Sequence, residues 1–216
     1  MSTLDPDKLK MFSFLLFTKL EGAVTSGMVH LGDQLGLYAE LAKGARPMTT
    51  SQLAHATGLN ERWVREWAYN QASARLISTS NTPSNSPSID DDLFFLSPEQ
   101  IAVLADPNSP AFGMGMFHRL PQTMAALNKM PESFRTGIGH DYDSHGPEGA
   151  VGIERSFEPW NQNFLIPMVI PALEGIQEKL TSGARVADIG CGSGGAALLM
   201  GSTFPKSVIE GFDISK

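Results

Sequence analysis

The sequence predicts an α/β protein with a mainly helical N-terminal half, followed by the start of a parallel sheet. Three observations lead to this prediction. Residues 7–43 carry apolar side chains at the three-and-four spacing that is typical of helices. Residues 49–67 contain the capping and turn residues of two short consecutive helices. Residues 184–213 indicate a buried strand, a glycine-rich turn, a helix and a second strand that ends in a carboxylate.

The N-terminal helical region is expected in two pieces, which separate near Ser26 and Gly27. The second piece has a wide apolar face, which is the pattern of a helix that packs against a core. The residues of this face are Val29, Leu31, Leu35, Leu37, Tyr38 and Leu41. We expect them to be buried against the elements that follow.

A helix-turn-helix pattern comes next. Thr49 or Thr50 can accept a hydrogen bond from the unpaired N–H groups of a first short helix, and Asn60 can do the same for a second helix. Gly58 supplies the turn between them. The side chains of the second helix that are expected to face inward are Trp63, Val64 and Trp67.

Two short strands are predicted after these helices, at residues 75–79 and 93–96. The loop between the strands is rich in Ser, Asn and Pro and ends in three aspartates at residues 90–92. A helix-turn-helix that is followed by a two-stranded hairpin forms a winged helix. We therefore predict a helical, winged-helix domain over residues 1–110.

The middle of the chain is expected to be helical on either side of one polar loop. Helices are predicted at residues 98–105 and at about 110–135, with Pro121 and Pro131 as boundaries or kinks. The loop runs over residues 137–152 and contains a crowded set of polar side chains. These are His140, Asp141, Tyr142, Asp143 and His145. A long helical region with several prolines then leads to the first strand of the sheet.

Gly190, Gly192 and Gly194 follow a predicted strand at residues 184–189. Glycine permits a positive φ and lets a ligand approach the backbone where a Cβ atom would collide. The helix that is expected to begin near Gly195 points its unpaired N–H groups at such a ligand. The same glycines also fit the G-x-G-x-x-G turn of dinucleotide-binding domains, so the glycine spacing alone leaves the ligand class open.

Two carboxylates flank this turn. Asp188 lies two residues before the first glycine, where dinucleotide-binding strands usually carry an apolar residue. A carboxylate there can pair with an ammonium group such as the one in S-adenosylmethionine, and it would repel a pyrophosphate. Asp213 follows the second strand, where it can accept hydrogen bonds from two neighbouring ribose hydroxyls. Asp188 therefore favours S-adenosylmethionine over a dinucleotide.

These residues resemble the class I S-adenosylmethionine-dependent methyltransferases. The segment Asp188-Ile-Gly-Cys-Gly-Ser-Gly194 looks like the first motif of that family, and Phe212-Asp213 looks like the acidic end of its second strand. Upstream of the motif, the winged helix is followed by Tyr142-x-x-His145-Gly146, Gly152-Ile-Glu154 and Gly183-Ala-Arg-Val-Ala-Asp188. This order is similar to that of a winged-helix subgroup that acts on small molecules. The resemblance covers nearly the whole chain, but only the opening of the catalytic domain.

The resemblance implies a helical connector and loop at residues 111–153 and an incomplete Rossmann-like domain at residues 154–216. It also implies that Asp188 holds the methionine ammonium group and that Asp213 holds the ribose hydroxyls. The other cofactor-binding residues that it implies are Gly190, Cys191, Gly192, Ser193, Gly194 and Ile214, the last of them near the adenine. The family's later motifs, which often supply a catalytic base, have no counterpart here. The catalytic residue is therefore unknown, and we expect the chain alone to be a weak or inactive enzyme.

Two other functions fit parts of the sequence. A winged-helix transcriptional regulator would bind DNA, but residues 1–100 contain 8 Lys and Arg against 11 Asp and Glu, a net charge of −3. DNA-binding surfaces are basic, which counts against this function. An NAD(P)-dependent oxidoreductase would also use the glycine turn. The loop at residues 140–146 has no standard zinc-ligand spacing, so no metal is expected, and the loop either covers the cofactor or is simply solvated.

The composition is that of an ordinary folded, cytoplasmic protein. With 42% hydrophobic and 18% charged residues, the 216-residue chain fits neither the disordered nor the membrane-spanning class. Its net charge of −7 works against non-specific attraction to nucleic acid or to an anionic membrane. The single cysteine, Cys191, cannot form an internal disulfide. We expect a small-molecule methyl acceptor as the partner, no nucleic acid or membrane, and a homodimer through the N-terminal helices.

Overall fold

The computed structural model describes residues 4–44, 46–80 and 92–215. Its backbone contacts divide the chain into two units, Met1–Ser97 and Pro98–Lys216, and each has its own core. The three-part division that the sequence suggests stays a prediction. The loop that is rich in Ser, Asn and Pro, predicted between the strands of the wing, lies outside the described residues together with the first two of its aspartates.

The first unit begins with a long helix, α1, at Pro6–Gln34, and a short one, α2, at Leu37–Lys43. The carboxylate of Asp5 caps α1 by accepting hydrogen bonds from two backbone N–H groups of its first turn, at 3.0 and 3.2 Å. The predicted break near residues 26–27 was wrong, because α1 is continuous there. Relative to alanine, a serine lowers helix stability by less than about 0.7 kcal/mol and a glycine by about 1 kcal/mol, which a long helix tolerates. The chain turns instead at Gly36, whose φ is 71°.

Helices α3, at Thr50–Thr57, and α4, at Glu61–Ser73, form the predicted helix-turn-helix. The hydroxyl of Thr49 accepts a hydrogen bond from the backbone N–H of Gln52, and the Gln52 side chain accepts one from the backbone N–H of Thr49. This reciprocal pair is a capping box, and it fixes the start of α3. The asparagine that precedes α4 caps that helix in turn.

Strand β1, at Ser78–Ser80, pairs in antiparallel fashion with β2, at Leu93–Phe95. Phe94 exchanges two backbone hydrogen bonds with Met48, at 2.8 and 2.9 Å, and these join the wing to the segment before α3. Strand β1 begins later than predicted, because the chain still turns at Arg75, whose φ is 62°. The winged helix that the sequence predicts is confirmed.

Tyr38 and Trp67 are at the centre of the first core, with their rings edge to face at 5.2 Å. The Tyr38 hydroxyl donates a hydrogen bond to Oε1 of Gln71 at 2.5 Å. The indole N–H of Trp67 donates to a backbone carbonyl of α1 at 2.9 Å, so both polar groups of the pair have partners. Burial, and then the nearby carboxylate of Asp33, raise the pKa of the Tyr38 hydroxyl.

Three of the predicted core residues are exposed instead. Trp63 is 75% exposed, because the buried face of α4 consists of Val64, Trp67, Ala68 and Gln71 and Trp63 projects about 90° away from its centre. Leu31, in the last turn of α1, is 42% exposed, and Leu35, the residue that follows α1, is 45% exposed. The other members of the predicted apolar face are buried: Val29, Leu37, Tyr38 and Leu41.

The second unit begins with a series of short helices. They are α5 at Pro98–Leu104, α6 at Met114–His118, α7 at Leu120–Ala126 and α8 at Met130–Thr136. Pro121 and Pro131 each lie in the first turn of a helix. Proline is tolerated there because the N–H that it lacks would have no partner within the helix. The predicted boundaries at these two prolines are confirmed.

The polar loop is shorter than predicted. A 3₁₀ turn at Tyr142–His145 leads directly into helix α9, at Gly146–Trp160, so the prediction of a loop up to Gly152 was wrong. Pro147 starts the helix, since its fixed φ suits the first turn. A glycine in each helix allows α9 to pack closely against α6. Gly115 and Gly152 lie at this helix crossing.

The helical region continues through two prolines to the sheet. Helix α9 passes into a π-helical stretch at Asn161–Val169, followed by α10 at Ile170–Ala172 and α11 at Ile176–Ser182. Pro159 and Pro167 lie inside this run. Because proline cannot donate the usual backbone hydrogen bond, the wider π turn accommodates the break in the helical pattern.

The sheet of the second unit has two described strands. Strand β3, at Arg185–Ile189, and strand β4, at Val208–Phe212, are parallel and are joined by helix α12 at Gly195–Thr203. The register pairs Asp188 with Gly211. A cluster of four buried residues packs beside the sheet: Ile170, Leu180, Met200 and Phe204. The predicted β-α-β unit, and with it the predicted fold class, is confirmed.

Candidate functional site

The glycine-rich turn connects β3 to α12 and contains three left-handed residues. The angle φ is 79° at Gly190, 55° at Gly192 and 88° at Gly194, which side chains with a Cβ atom rarely allow. Among the described residues, no atom lies within 4 Å of the position that a Cβ would take at any of the three. The turn therefore leaves open space beside its backbone.

Asp213 fastens this turn to the end of β4. Its Oδ2 accepts a hydrogen bond from the backbone N–H of Gly192 at 2.7 Å, and its Oδ1 accepts one from the backbone N–H of Ser215 at 2.8 Å. The hydrogen bonds from Ser215 and then Gly192 lower the pKa of the Asp213 carboxyl below its ordinary value. A carboxylate has about four acceptor positions, so Asp213 can still accept hydrogen bonds from a ligand.

Asp188 and Asp213 line one cavity of about 470 Å³ beside the glycine turn. Asp188 lies in the last two residues of β3, and Asp213 directly follows β4. Parallel strands present their carboxyl ends at the same edge of a sheet, which is where ligands of open α/β sheets bind. The structure therefore brings together the two carboxylates that the sequence singles out.

The charged groups of this cavity are all acidic. Glu154, Asp188 and Asp213 line it, and no described lining residue is Lys, Arg or His. The rest of the wall includes apolar side chains such as Ile153 and Phe157. Such a cavity attracts a cationic ligand that also has apolar surface, and it repels a pyrophosphate. No group of three or more His, Cys, Asp or Glu in the described parts of the chain could hold a metal ion.

Glu154 is the one lining carboxylate to which the sequence assigns no role. Helix α9 brings it to the glycine turn, where the hydroxyl of Ser193 donates a hydrogen bond to its Oε2. A Cβ atom on Gly195 would lie only 2.7 Å from Cδ of Glu154, so the close approach depends on that glycine. The sequence signal for this residue is weak: an acidic side chain in the segment Gly152-Ile-Glu154, far from its contacts along the chain.

Part of the predicted polar loop reaches the site. Tyr142 lines the cavity, and the hydroxyl of Ser215 donates a hydrogen bond to Oδ1 of Asp143. His140 and Asp141 line none of the described cavities beside the turn. The loop therefore touches the segment after β4 through its second half.

A second cavity, of about 350 Å³, shares a wall with the first. Tyr142, Ile153 and Ser215 line both cavities. Arg119 and His145 line the second cavity alone, so it contains basic groups that the first does not. The two neighbouring spaces thus differ in charge, which suits two ligands of different chemistry.

Cys191 and Ile214 complete the predicted set. Cys191 lines the main cavity, and a Cβ atom on Gly211 would lie 2.8 Å from its Sγ, so the thiol packs against β4. Ile214 is 89% exposed and lines a third space with Phe212 and Tyr142. These apolar surfaces lie next to Asp213, where a flat ring could pack.

Comparison with known families supports the winged helix. Residues 23–104 match the model of the Rv2258c-like winged HTH domain. This match covers less than half of the chain. No curated protein matches the sequence. Among the described residues, no helix combines the length and the apolar character that a membrane span requires.

Solved structures are similar over almost the entire chain. The mitomycin 7-O-methyltransferase MmcR has a TM-score of 0.64 at 20% identity, and the match covers 97% of this chain and 60% of that one. Human N-acetylserotonin methyltransferase, in complex with SAM, has a TM-score of 0.62 at 18% identity, with coverage of 99% and 61%. CalO1, a methyltransferase in calicheamicin biosynthesis in its SAH-bound form, has a TM-score of 0.54 at 20% identity, with coverage of 98% and 60%.

At these identities the likeness establishes the fold. It is the fold of class I methyltransferases that carry a winged helix before the catalytic domain. The chain spans about three fifths of the length of the structures that it matches.

Proposed function

We propose that this chain, which has the fold of a winged-helix methyltransferase, binds S-adenosylmethionine and takes part in methyl transfer to a small molecule. The observation that carries the proposal is the acidic cavity at the glycine turn, where Asp188 and Asp213 meet. A donor with an ammonium group, a sulfonium and two ribose hydroxyls matches this cavity in charge and in hydrogen bonding. Two of the similar structures contain SAM or SAH, which supports the same cofactor here.

Each part of the donor has a counterpart in the cavity or directly beside it. Asp188 pairs with the methionine ammonium group, and Asp213 accepts hydrogen bonds from the ribose hydroxyls. The adenine lies against Ile214, beside the exposed end of β4. The methionine part runs along the open backbone of the turn, whose residues are Gly190, Cys191, Gly192, Ser193 and Gly194. These assignments rest on charge, on open space and on the position of each group at the sheet edge.

Methyl transfer from a sulfonium is an in-line displacement, in which the protein mainly holds the acceptor atom against the methyl group. Correct placement of two reactants is worth several orders of magnitude in rate. The second cavity, next to the donor cavity, is the space that we assign to the acceptor, and its size suits a small molecule. A general base is needed only if the acceptor must lose a proton. We name no catalytic residue.

We further propose that these residues form only part of an active site and transfer methyl groups weakly or not at all by themselves. Parallel sheets are normally covered on both faces and flanked by further strands. The described sheet has two strands, and apolar side chains at its edges and on its helix stay in contact with solvent. Examples are Ile189 at 78% exposure, Leu198 at 73% and Phe212 at 53%.

The N-terminal helix is the part of the chain that we assign to homodimer formation. Along α1, large apolar side chains are exposed over several turns, and a contiguous apolar patch of this kind marks an interaction surface. The exposed residues include Phe12, Leu16, Phe17, Leu20 and Val24. A second copy of α1 offers the same surface, which is the requirement for a symmetric pair.

Calorimetric titrations with S-adenosylhomocysteine and with NADH, carried out separately, test the proposed function. The acidic cavity is expected to bind S-adenosylhomocysteine and to give no measurable heat with NADH, because the pyrophosphate meets three carboxylates. Tighter binding of NADH would contradict the methyltransferase proposal and favour an oxidoreductase. The variant Asp188→Asn is expected to weaken the binding of S-adenosylhomocysteine, whereas Asp141→Asn, an exposed aspartate that lines none of the described cavities beside the turn, is the matched control.

A further inference from the structure

Glu154 has no role in the function proposed above, although it lines the same cavity as Asp188 and Asp213. It is half-buried, and among the described residues it makes one hydrogen bond, from the hydroxyl of Ser193, and no ion pair. No protein cation neutralises this carboxylate among the described residues. Its charge is therefore available to pair with a positive group of a ligand in the cavity.

The position of Glu154 is built into the fold on both sides. Glu154 lies in α9, and this helix crosses α6 closely. A Cβ on Gly152 of α9 would lie 2.9 Å from Cβ of Arg119. On the facing side, α12 starts with Gly195, and any side chain there would overlap the carboxylate. The contact therefore depends on two glycines, one in each helix.

This carboxylate changes what the start of α12 can bind. The N-terminus of a helix ordinarily attracts anions, and the sequence leads to the expectation that its N–H groups face the ligand. In the structure, the protein supplies its own anion there, because Glu154 lies against Gly195 and Ser193. A negative group of a ligand would meet Glu154 at this point, whereas a positive group would be attracted.

Asp188, like Glu154, has no cationic partner among the described residues. Among the described residues, its carboxylate makes no hydrogen bond and no ion pair, and it faces the same cavity as Glu154. An ammonium group has three N–H donors and can serve two carboxylates at once. Two acidic side chains that lack cations and line the same cavity suit the binding of one such group.

We infer that Glu154 is a second carboxylate that recognises the ammonium group of the donor's amino-acid tail, together with Asp188. The inference rests on the proposed function and adds a specificity-determining residue to it. By this account the site distinguishes donors and products that carry an α-amino group from adenosine thioethers that lack it. Ser193 orients the Glu154 side chain, and Gly195 makes room for it.

Calorimetry with two ligands tests this role. S-adenosylhomocysteine carries the ammonium group, whereas 5′-methylthioadenosine has the same adenosine and sulfur but no amino-acid tail. In the variant Glu154→Gln, the binding of S-adenosylhomocysteine is expected to weaken by about tenfold, because a charge-assisted hydrogen bond is lost. The binding of 5′-methylthioadenosine is expected to change by less than about twofold, since it cannot reach the carboxylate pair.

The matched control is Glu158→Gln, an exposed glutamate one turn later on α9 that does not line the cavity. It is expected to leave both affinities unchanged. If Glu154→Gln strengthens the binding of S-adenosylhomocysteine, or weakens both ligands equally, the assigned role is wrong, while the proposed function stands. If the wild-type chain binds neither ligand, the proposed function itself fails, and this inference fails with it.

Discussion

Asp213 has two roles at the candidate site: it stabilises the glycine turn, and it is a proposed contact for the ligand. Its carboxylate holds the glycine turn through Gly192 and the following segment through Ser215, both by accepting backbone hydrogen bonds. The same group is the proposed acceptor for the ribose hydroxyls. Because it is negatively charged and already oriented, it can bind a diol without a further change in the turn.

The lowered pKa of Asp213 leads to a prediction about pH. A carboxyl whose pKa in the folded state lies below its unfolded value of about 3.9 stabilises the fold above that pH. This contribution is lost as the pH falls through the folded pKa. We expect Asp213→Asn to lower the melting temperature of the second unit at pH 7, and we expect the difference from wild type to shrink at pH values below about 4.

Circular dichroism melting curves at neutral and acidic pH measure this difference. Asp141→Asn, which changes the charge equally at an exposed position of the same unit, serves as the control and is expected to have little effect. A destabilisation by Asp213→Asn that is the same at both pH values would show that the charge of Asp213 does not matter. The hydrogen bonds from Gly192 and Ser215 would then stabilise the turn by a contribution that does not depend on the charge of the side chain.

At the scale of elements, the site depends on how closely α6 and α9 cross. A Cβ on Gly115 would lie 2.6 Å from the backbone carbonyl carbon of Arg155, and backbone cannot move aside as a flexible side chain can. The residue next to Arg155 is Glu154. The crossing therefore sets both the stability of the second unit and the position of the carboxylate at the glycine turn.

We predict that Gly115→Ala destabilises the second unit by about 1–3 kcal/mol, the usual cost of overpacking a close contact. Gly139→Ala is the matched control, since no atom of a described residue lies within 4 Å of its Cβ position. Denaturant unfolding of the two variants measures the free energy of unfolding. Equal stability of Gly115→Ala and wild type would mean that the two helices can move apart without cost.

Local patterns in the sequence predict the elements well, because the physical cause of each lies within a few residues. The capping box at Thr49 and the alternating glycines at 190–194 are examples. The position of Glu154 could not be predicted, since its partner Ser193 is 39 residues away along the chain. The length of the polar loop was misjudged for a related reason. Gly152 resembles a loop residue in the sequence, and only the crossing of α9 with α6 gives it a packing role.

At the scale of the whole molecule, the two units have different tasks. The first unit has a well-filled aromatic core around Tyr38 and Trp67, and its long α1 extends an apolar surface into solvent. The second unit carries the proposed donor cavity beside a sheet of two described strands. Predicting this organisation from sequence was possible because the winged helix and the glycine turn each have a local signature.

The apolar surface of α1 leads to a prediction about assembly. Leu16 and Leu20 are one turn apart on the same side of the helix and are 64% and 61% exposed. We expect Leu16→Glu combined with Leu20→Glu to convert a homodimer into monomers. The two new carboxylates would have no cationic partner at the apolar contact, and burying them there is costly. Thr18→Glu, on the opposite side of α1, is the control and is expected to leave the dimer intact. Sedimentation velocity measures the oligomeric state of the double variant and of the control. A wild-type chain that is monomeric at all concentrations would contradict the proposed assembly.

Calorimetric binding of S-adenosylhomocysteine to a variant that lacks both aspartates is the most direct test of the account. The central claim is that Asp188 pairs with the ammonium group of the amino-acid tail and that Asp213 accepts hydrogen bonds from the ribose hydroxyls. Asp188→Asn combined with Asp213→Asn is predicted to reduce the affinity by about a hundredfold or more, while circular dichroism shows that the chain stays folded. A folded double variant that binds S-adenosylhomocysteine with undiminished affinity would contradict the account.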